Sequence, residues 1–393
     1  MKILIYRWNS YNQKGIEDTF IRLGNEISIL DIPMASIEED FVYEENLLSR
    51  LKREHFDFVF SINYFPVLAR SCQQSGVMYV CWNCDSSLLS MYHESVFYDT
   101  NYIFTFDYSI YNEFKKLGCV NIFHLPLAGN TSFLDIKPQD KLYDISFVGS
   151  LYKKNSYDAI ADKLPDYLCG YLEGALYAQT LVSGGNIIEK LLTPDIISSL
   201  NEITDYNKSE ASFADIGKLF SSTVLGFKAA SMQRIMYLNH LSEIMHSGGA
   251  LGTPYEVHLF TDDESSVFPF IRKHGRVDYF TQMPYIFANS RINLNITIPN
   301  IKTGLSLRVW DILNCHGFLM TDYRAELTEY FVPDKDIVIY EDGDELSAKA
   351  EFYLKNESLR QKIVANAYDK VRKYHTCEQR LKKMLEIVDK NTI

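Results

Sequence analysis

Short apolar runs alternating with helical stretches constrain this chain more than any other feature. KILIY (2–6) reads as a strand, 14–24 as a helix ending at Gly24, and EISILDI (26–32) as a strand. A helical stretch at 44–54 leads into FDFVFSI (56–62), and a helix near 66–75 precedes VMYVCW (77–82). NYIFTF (101–106), a helix through Leu117 and VNIFHL (120–125) continue the alternation. This order predicts a parallel sheet with crossover helices. Such sheets bind ligands beyond the C-terminal ends of their strands. The residues there are Trp8, Asn9, Ser10 and Tyr11 after the first strand, Asn63 and Tyr64 after the third, and Asp85, Ser86 and Ser87 after the fourth. No G-x-G-x-x-G follows the first strand, which argues against a nicotinamide enzyme.

At 393 residues the chain is too long for one ordinary core, so two domains are expected. The polar, proline-bearing stretch LDIKPQDKLY (134–143) marks the boundary, and DISFVGS (144–150) opens a second α/β unit. Residues 156–248 read as mostly helical, an insertion longer than a simple crossover. EVHLFT (256–261), GRVDYF (275–280) and DIVIY (336–340) read as further strands, with helices from Gly343 onward.

The most informative stretch is SRINLNITIPNIKTGLSLRVWDILNCHGFLMTDY, residues 290–323. Ser290 to Thr297 alternates apolar and polar side chains, the period of a strand. Asn300 to Gly304 is a polar loop, Ser306 is a good helix N-cap, and Val309, Ile312 and Leu313 recur at helical spacing. A second strand restarts at Phe318. A loop opening into a helix gathers free N–H groups and the positive end of the helix dipole, a ready site for a diphosphate. Lys302 and Arg308 add two cations there. Asp311 lies about one and a half turns into the helix, roughly opposite the apolar face, where a carboxylate can accept from two ribose hydroxyls.

Together with FVGSLY (147–152), an isolated Arg234 ahead of a helix, HGRVDYFTQMP (274–284) and YHTCEQRL (374–381), this stretch resembles the CgeB-like ("spore maturation protein") bacterial glycosyltransferases. These are a GT-B family related to glycosyltransferase group 1, and the resemblance covers most of the chain. It implies an α/β GT-B architecture: two Rossmann-like domains facing across a cleft, with the helical insertion in the C-terminal one. Residues 1–140 would form the acceptor-side domain and 141–375 the nucleotide-sugar-binding domain, with 376–393 a helix crossing back to the first. In the wider retaining group this region carries two glutamates eight positions apart. Asp311 matches the ribose-binding one, and Thr303, followed by Gly304 and Leu305, stands in place of the sugar-contacting one. Gly149, in FVGSLY, lets backbone come close to a ligand or a neighbouring helix, and it is expected with Ser150 among the donor-binding residues.

Several residues admit two readings. Arg308 and Lys302 are diphosphate contacts or surface charges. Ser306 presents its N–H to the phosphates or is only a cap. Arg234 holds phosphate or forms a salt bridge, and Tyr279 stands near the nucleobase or packs in the core. Asp85, in CWNCDSS, deprotonates or orients the acceptor hydroxyl, or serves as an Asx turn or helix cap. His93 and Glu94 are the next candidates for that base, while His124 and His375 read as structural.

Composition narrows the function. A formal net charge of −12 opposes a nucleic-acid groove, which depends on neutralising phosphates. No run approaches the length of a membrane span, and MKILIYRW lacks the features of a signal peptide. Seven scattered cysteines suit free thiols in a reducing cytoplasm, and the C-x-x-C of Cys81 and Cys84 has no second pair to complete a metal site. The expectation is a cytoplasmic glycosyltransferase. It moves a hexosyl or N-acetylhexosaminyl group from a nucleotide-diphosphate sugar, a UDP-sugar first among them, to a protein or glycan hydroxyl in bacterial surface synthesis. No metal or other cofactor is expected, and the oligomeric state is open. The alternatives are a sugar-nucleotide epimerase of the same fold, or a non-catalytic surface or spore-associated protein.

Overall fold

The computed structural model describes residues 1–8, 10–137, 141–204, 209–249, 252–263 and 267–390. Asn9, residues 138–140 of the expected boundary and 205–208 of the expected insertion lie outside the described residues. The chain divides into two compact units. One comprises 1–128 with 209–215 and 376–390, the other 129–204 with 216–375. The division falls ahead of the polar stretch 134–143, because Gly129 and Asn130 pack with the second unit.

The first unit carries strands β1 (Lys2–Tyr6), β2 (Glu26–Leu30), β3 (Phe58–Ile62), β4 (Met78–Asn83), β5 (Asn101–Thr105) and β6 (Ile122–His124). All pair in parallel in the order β2-β1-β3-β4-β5-β6. Helices α1 (Gln13–Arg22), α2 (Phe41–Arg53), α3 (Pro66–Ser75) and α4 (Tyr108–Lys116) connect them. α2 begins earlier than expected because Asp40 caps it, accepting from the Tyr43 N–H at 3.0 Å. β3 is buried along its whole length, as a central parallel strand must be.

The second unit repeats the plan with β7 (Tyr143–Val148), β8 (Val257–Phe260), β9 (Ile271–His274), β10 (Ser290–Asn295), β11 (Leu319–Asp322) and β12 (Val338–Tyr340). They too are parallel, in the order β12-β11-β10-β7-β8-β9. The insertion between β7 and β8 holds α5 (Asp166–Thr180), α6 (Ile188–Leu191), α7 (Pro194–Ile203), α8 (Ile216–Leu219) and α9 (Leu225–Ser247), with a π-helical turn over Phe220–Val224 joining the last two. α10 (Met283–Asn289), α11 (Leu307–Asn314), α12 (Leu327–Tyr330), α13 (Gly343–Lys355) and α14 (Glu357–Tyr374) follow. In the first unit, α15 (Cys377–Lys390) packs on α1.

Two expectations fail. GRVDYF is not a strand: the strand is the preceding Ile271–His274. Asp278 folds the sequel into a turn, its Oδ1 accepting from Phe280 N (3.0 Å), Thr281 N (2.8 Å) and Thr281 Oγ1 (2.7 Å). Arg234 does not precede a helix but lies inside the 23-residue α9.

α11 is packed closely enough to dictate its neighbours. A Cβ on Gly129 would lie 2.7 Å from both the Trp310 carbonyl oxygen and Asn314 Nδ2. Gly129→Ala should therefore cost about 1–3 kcal/mol by overpacking. It should lower the urea midpoint without changing the slope of the transition. An unchanged midpoint would show that this approach is not tight in solution.

Candidate functional site

The C-terminal ends of β7 and β10 lie side by side in the second unit, and Arg234 joins them from α9. Its Nη1 donates to the Ser150 carbonyl at 2.5 Å, and its Nη2 and Nε donate to the Ile296 carbonyl at 2.8 and 3.3 Å. The guanidinium also sits 4.9 Å from the Tyr152 ring centre and 5.3 Å from that of Phe147. Burial is the main influence on Arg234 and lowers its pKa, with Arg308 acting in the same direction. Arg234 makes no ion pair among the described residues, so the salt-bridge reading does not hold.

Arg308, in the first turn of α11, is also without an ion pair among the described residues. Its Nη1 meets Met283 Sδ, and the guanidinium lies 5.3 Å from the Phe287 ring centre. Ser306 holds the N-cap position in extended conformation, yet no side chain caps α11 and no acidic residue occupies its first turn. The Ser306 hydroxyl points instead toward Asn295 Oδ1 at 3.5 Å. The N-terminus of α11 keeps its positive end uncompensated.

Lys302 departs from expectation. Its ammonium is paired with Glu189 Oε2 at 2.5 Å, while Lys218 holds Glu189 Oε1 at 2.8 Å. Burial acts to raise the Glu189 pKa, but hydrogen bonds from the two lysines hold it down at about 2. Lys302 thus pins the β10–α11 loop to α6 rather than standing ready for phosphate. Thr303, in the same loop, donates through Oγ1 to Glu326 Oε1 at 2.8 Å and accepts at its carbonyl from Glu326 N at 3.2 Å. Gly304 and Leu305 are buried.

Asp311 is the largest correction. Instead of lying off the apolar face it is 1% exposed, because α10, α14 and the 131–135 turn all pack against α11 beside the sheet. Tyr279 Oη reaches both carboxylate oxygens, at 3.1 and 3.2 Å, and the Asn130 N–H donates to Oδ1 at 3.4 Å. Burial, the dominant effect, pushes Asp311 up to about 6 against the pull of Arg308 and these donors. Tyr279 therefore packs in the core and serves as the hydroxyl partner of Asp311. A Cβ on Gly149 would meet the Phe147 ring at 3.4 Å and, from α9, Arg234 Nη1 at 3.8 Å, so what approaches Gly149 from that helix is a side chain rather than backbone.

In the first unit, Asp85 directly follows the turn after β4 and is exposed. Asn63 holds it. Asn63 adopts φ 65°, a left-handed conformation that asparagine tolerates. Its Nδ2 donates to Asp85 Oδ2 at 2.6 Å, and its Oδ1 accepts from the N–H groups of Cys84 (2.8 Å) and Asp85 (3.3 Å). Asp85 Oδ1 has no partner among the described residues. Asp85 caps no helix. His93 is not a general base: it is 1% exposed and caps a short 3-10 turn, its Nδ1 accepting from Ser95 N at 3.1 Å, and burial lowers its pKa. Glu94 is exposed. His124 bonds the Phe106 carbonyl and His375 stacks among Trp310 and Tyr330, both structural roles.

Sequence reasoning missed the roles of Asn63, Glu189 and Glu326. Only for Asn63 was there a signal, since it follows a strand end directly. All seven cysteines are free. No group of three His, Cys, Asp or Glu side chains could share a metal ion among the described residues. No helix among them is long and apolar enough to cross a membrane.

Residues 246–386 match the family model described as glycosyl transferase-like. No curated protein matches the chain. Among solved structures, a glycosyltransferase from Rickettsia africae aligns with a TM-score of 0.62 at 10% identity, covering 99% of this chain and 98% of that one. Anabaena HepE, solved in complex with UDP and glucose, aligns with a TM-score of 0.59 at 8% identity, covering 99% and 100%. Sucrose-phosphate synthase from Thermosynechococcus elongatus gives 0.55 at 7% identity, covering 100% and 99%. The fold is thus that of the GT-B glycosyltransferases: α/β, with two parallel six-stranded sheets.

The Tyr279–Asp311 contact predicts a specific pH dependence. The folded pKa of about 6 exceeds the ordinary 3.8, so the contribution of Asp311 to stability is fully present below about 4 and is lost as pH rises through about 6. Tyr279→Phe removes a donor that serves the ionised form. Its cost should be about 1–3 kcal/mol, larger at pH 8 than at pH 5. Asp311→Asn should flatten the wild-type decline between those values. Equal cost of Tyr279→Phe at both pH values, by urea denaturation, would contradict the assignment.

Proposed function

We propose that the second unit binds a nucleotide-diphosphate sugar and that the protein is a glycosyltransferase. One observation carries the proposal. Two guanidinium groups, Arg234 and Arg308, make no ion pair among the described residues, and Arg308 stands on a helix whose N-terminus has neither cap nor acidic residue. Positive charge that no salt bridge takes up favours an anion with several acceptor oxygens, which a diphosphate supplies. UDP and glucose in the complex of the similar Anabaena protein support a UDP-sugar as the donor to test first.

The chemistry follows from where charge develops. The oxygen of the acceptor hydroxyl bonds to the anomeric carbon of the donor sugar. The bond from that carbon to the diphosphate oxygen breaks, and the diphosphate leaves with the electron pair. Fixed guanidinium groups stabilise the charge it gains, the work that a metal ion does in other transferases. The hydroxyl proton passes to a base, for which Asp85 is our candidate, because its Oδ1 is unpartnered while Asn63 fixes its Oδ2. The acceptor in this proposal is a protein or glycan hydroxyl; the glycosyl transferase-like match over 246–386 supports the transferase class.

Incubation with UDP-glucose, UDP-galactose and UDP-N-acetylglucosamine tests the reaction class. Release of UDP is expected. An isomerised but intact nucleotide sugar would mean an epimerase, and unchanged donors would mean a binding role. Arg308→Met tests the site. Among the described residues Arg308 makes no salt bridge, and its bonded and ring contacts are with Met283 and Phe287, so the fold should survive. Loss of charge-assisted bonds worth about 1.5–3 kcal/mol should weaken UDP binding by roughly ten- to a hundred-fold. Unchanged UDP affinity in a folded Arg308→Met protein would contradict the assignment.

A further inference from the structure

The polar groups at the C-terminal ends of β1, β3 and β4 form one bonded framework around an exposed tryptophan. These strands are neighbours in the sheet, so the residues that follow them converge. Trp8 Nε1 donates to the Ile62 carbonyl at 2.8 Å, beside Asn63, whose amide holds Asp85. On the same β1–α1 loop, Ser10 Oγ donates to Asn12 Oδ1 at 2.7 Å, and Asn12 Nδ2 donates to Cys84 Sγ at 3.2 Å. The indole is further fixed edge-to-face against Phe65, ring centres 6.1 Å apart. Trp8 is nevertheless 36% exposed, whereas Trp82 and Trp310 are 1% and 0% exposed. The indole is thus held in one orientation with part of its surface left open to a ligand.

We propose that this framework is a carbohydrate-binding subsite, in which the Trp8 ring stacks on the C–H face of a neutral pyranose and Asp85 Oδ1 accepts from one of its hydroxyls. The proposal rests on the transferase reading and names its acceptor as a glycan rather than a protein. The charge of the framework selects for neutral ligands. Its carboxylate is exposed, and the nearest cation in sequence, Arg7, is bound to Glu17 through Nη2 at 2.7 Å and Nε at 3.1 Å. Among the described residues no cation is bonded to this framework, while a polyol finds an aromatic face, a carboxylate and amide groups. A peptide lacks the usual means of docking, because β1, β3 and β4 are interior strands and offer no open edge for strand addition.

The tryptophan distribution provides the test. With two of three indoles buried, a change in fluorescence on saccharide addition reports on Trp8. Wild type is titrated with methyl glucoside, N-acetylglucosamine and maltose, and in parallel with a serine-rich peptide, all without nucleotide. A saturable change with at least one saccharide is expected. It should be lost in Trp8→Phe, which keeps an aromatic ring in place but removes the reporting indole. In Trp8→Leu, kcat/KM for that saccharide as acceptor should fall roughly tenfold, through KM. Fluorescence unmoved by all three saccharides, a change that persists in Trp8→Phe, or a response to the peptide alone would overturn the proposal. Because the titration contains no nucleotide, its failure leaves the donor site standing, and a missing donor site leaves the titration readable.

Discussion

The second unit depends on what Arg234 does with its guanidinium. No carboxylate forms a salt bridge with it among the described residues, and Asp322 acts on it only from farther away. The guanidinium spends its donors on two main-chain carbonyls, Ser150 after β7 and Ile296 after β10, and so fixes the ends of two adjacent parallel strands. The charge remains. Aromatic faces on Tyr152 and Phe147 shelter it without neutralising it. Arg308 repeats the arrangement against Phe287 and Met283. Several other cations of this unit are matched: Arg324 with Asp322 at 2.9 Å, Lys302 and Lys218 with Glu189, Lys370 with Asp336. The buried Arg360 is not, among the described residues, and donates to the Tyr353 and Leu354 carbonyls. What sets Arg234 and Arg308 apart is their place: one binds the carbonyls that follow β7 and β10, the other stands in the first turn of α11, and the proposed anion site rests on that placement.

The remaining contacts hold that arrangement still. Asp322 accepts from Thr297 N and Oγ1 at 2.9 and 2.8 Å, which ties the end of β10 to the end of β11. The Asn300 amide reaches the Ser222 carbonyl in the π-helical turn, where the irregular hydrogen bonding leaves room for an outside donor. The Lys302–Glu189–Lys218 group fastens the other side of the same loop. Asp311 and Tyr279 lock α11 from its buried side. Each device acts on the loop between β10 and α11 or on the helix itself, and preorganisation of this kind is what stabilises a developing charge.

Much of the fold was legible because parallel strands buried on both faces leave continuous apolar runs, as in FVFSI of β3. The loop-to-helix junction was legible because a serine ahead of helical spacing marks an N-cap, and Ser306 does sit there. What the sequence hid was pairing over long separations. Nothing near Lys302 reveals Glu189, more than a hundred positions away, and so the lysine looked free. Asp311 looked solvated because a helical wheel shows one face of one helix, while α11 is enclosed by several elements. GRVDYF looked like a strand because its aromatic and β-branched residues have strand propensity, which the Asp278 turn overrides. His93 looked like a base because polarity in sequence does not disclose burial.

The central claim is that the unpaired guanidinium groups and the open N-terminus of α11 recognise a diphosphate. Thermal denaturation of the wild-type protein with UDP and, separately, with uridine, both without divalent metal, tests it most directly. The account predicts that UDP raises the melting temperature, with a gain of about 2.7 kcal/mol at a hundred times its dissociation constant. Uridine at the same concentration should give little or no shift. Equal shifts from UDP and uridine, or no shift from UDP at millimolar concentration, would contradict it.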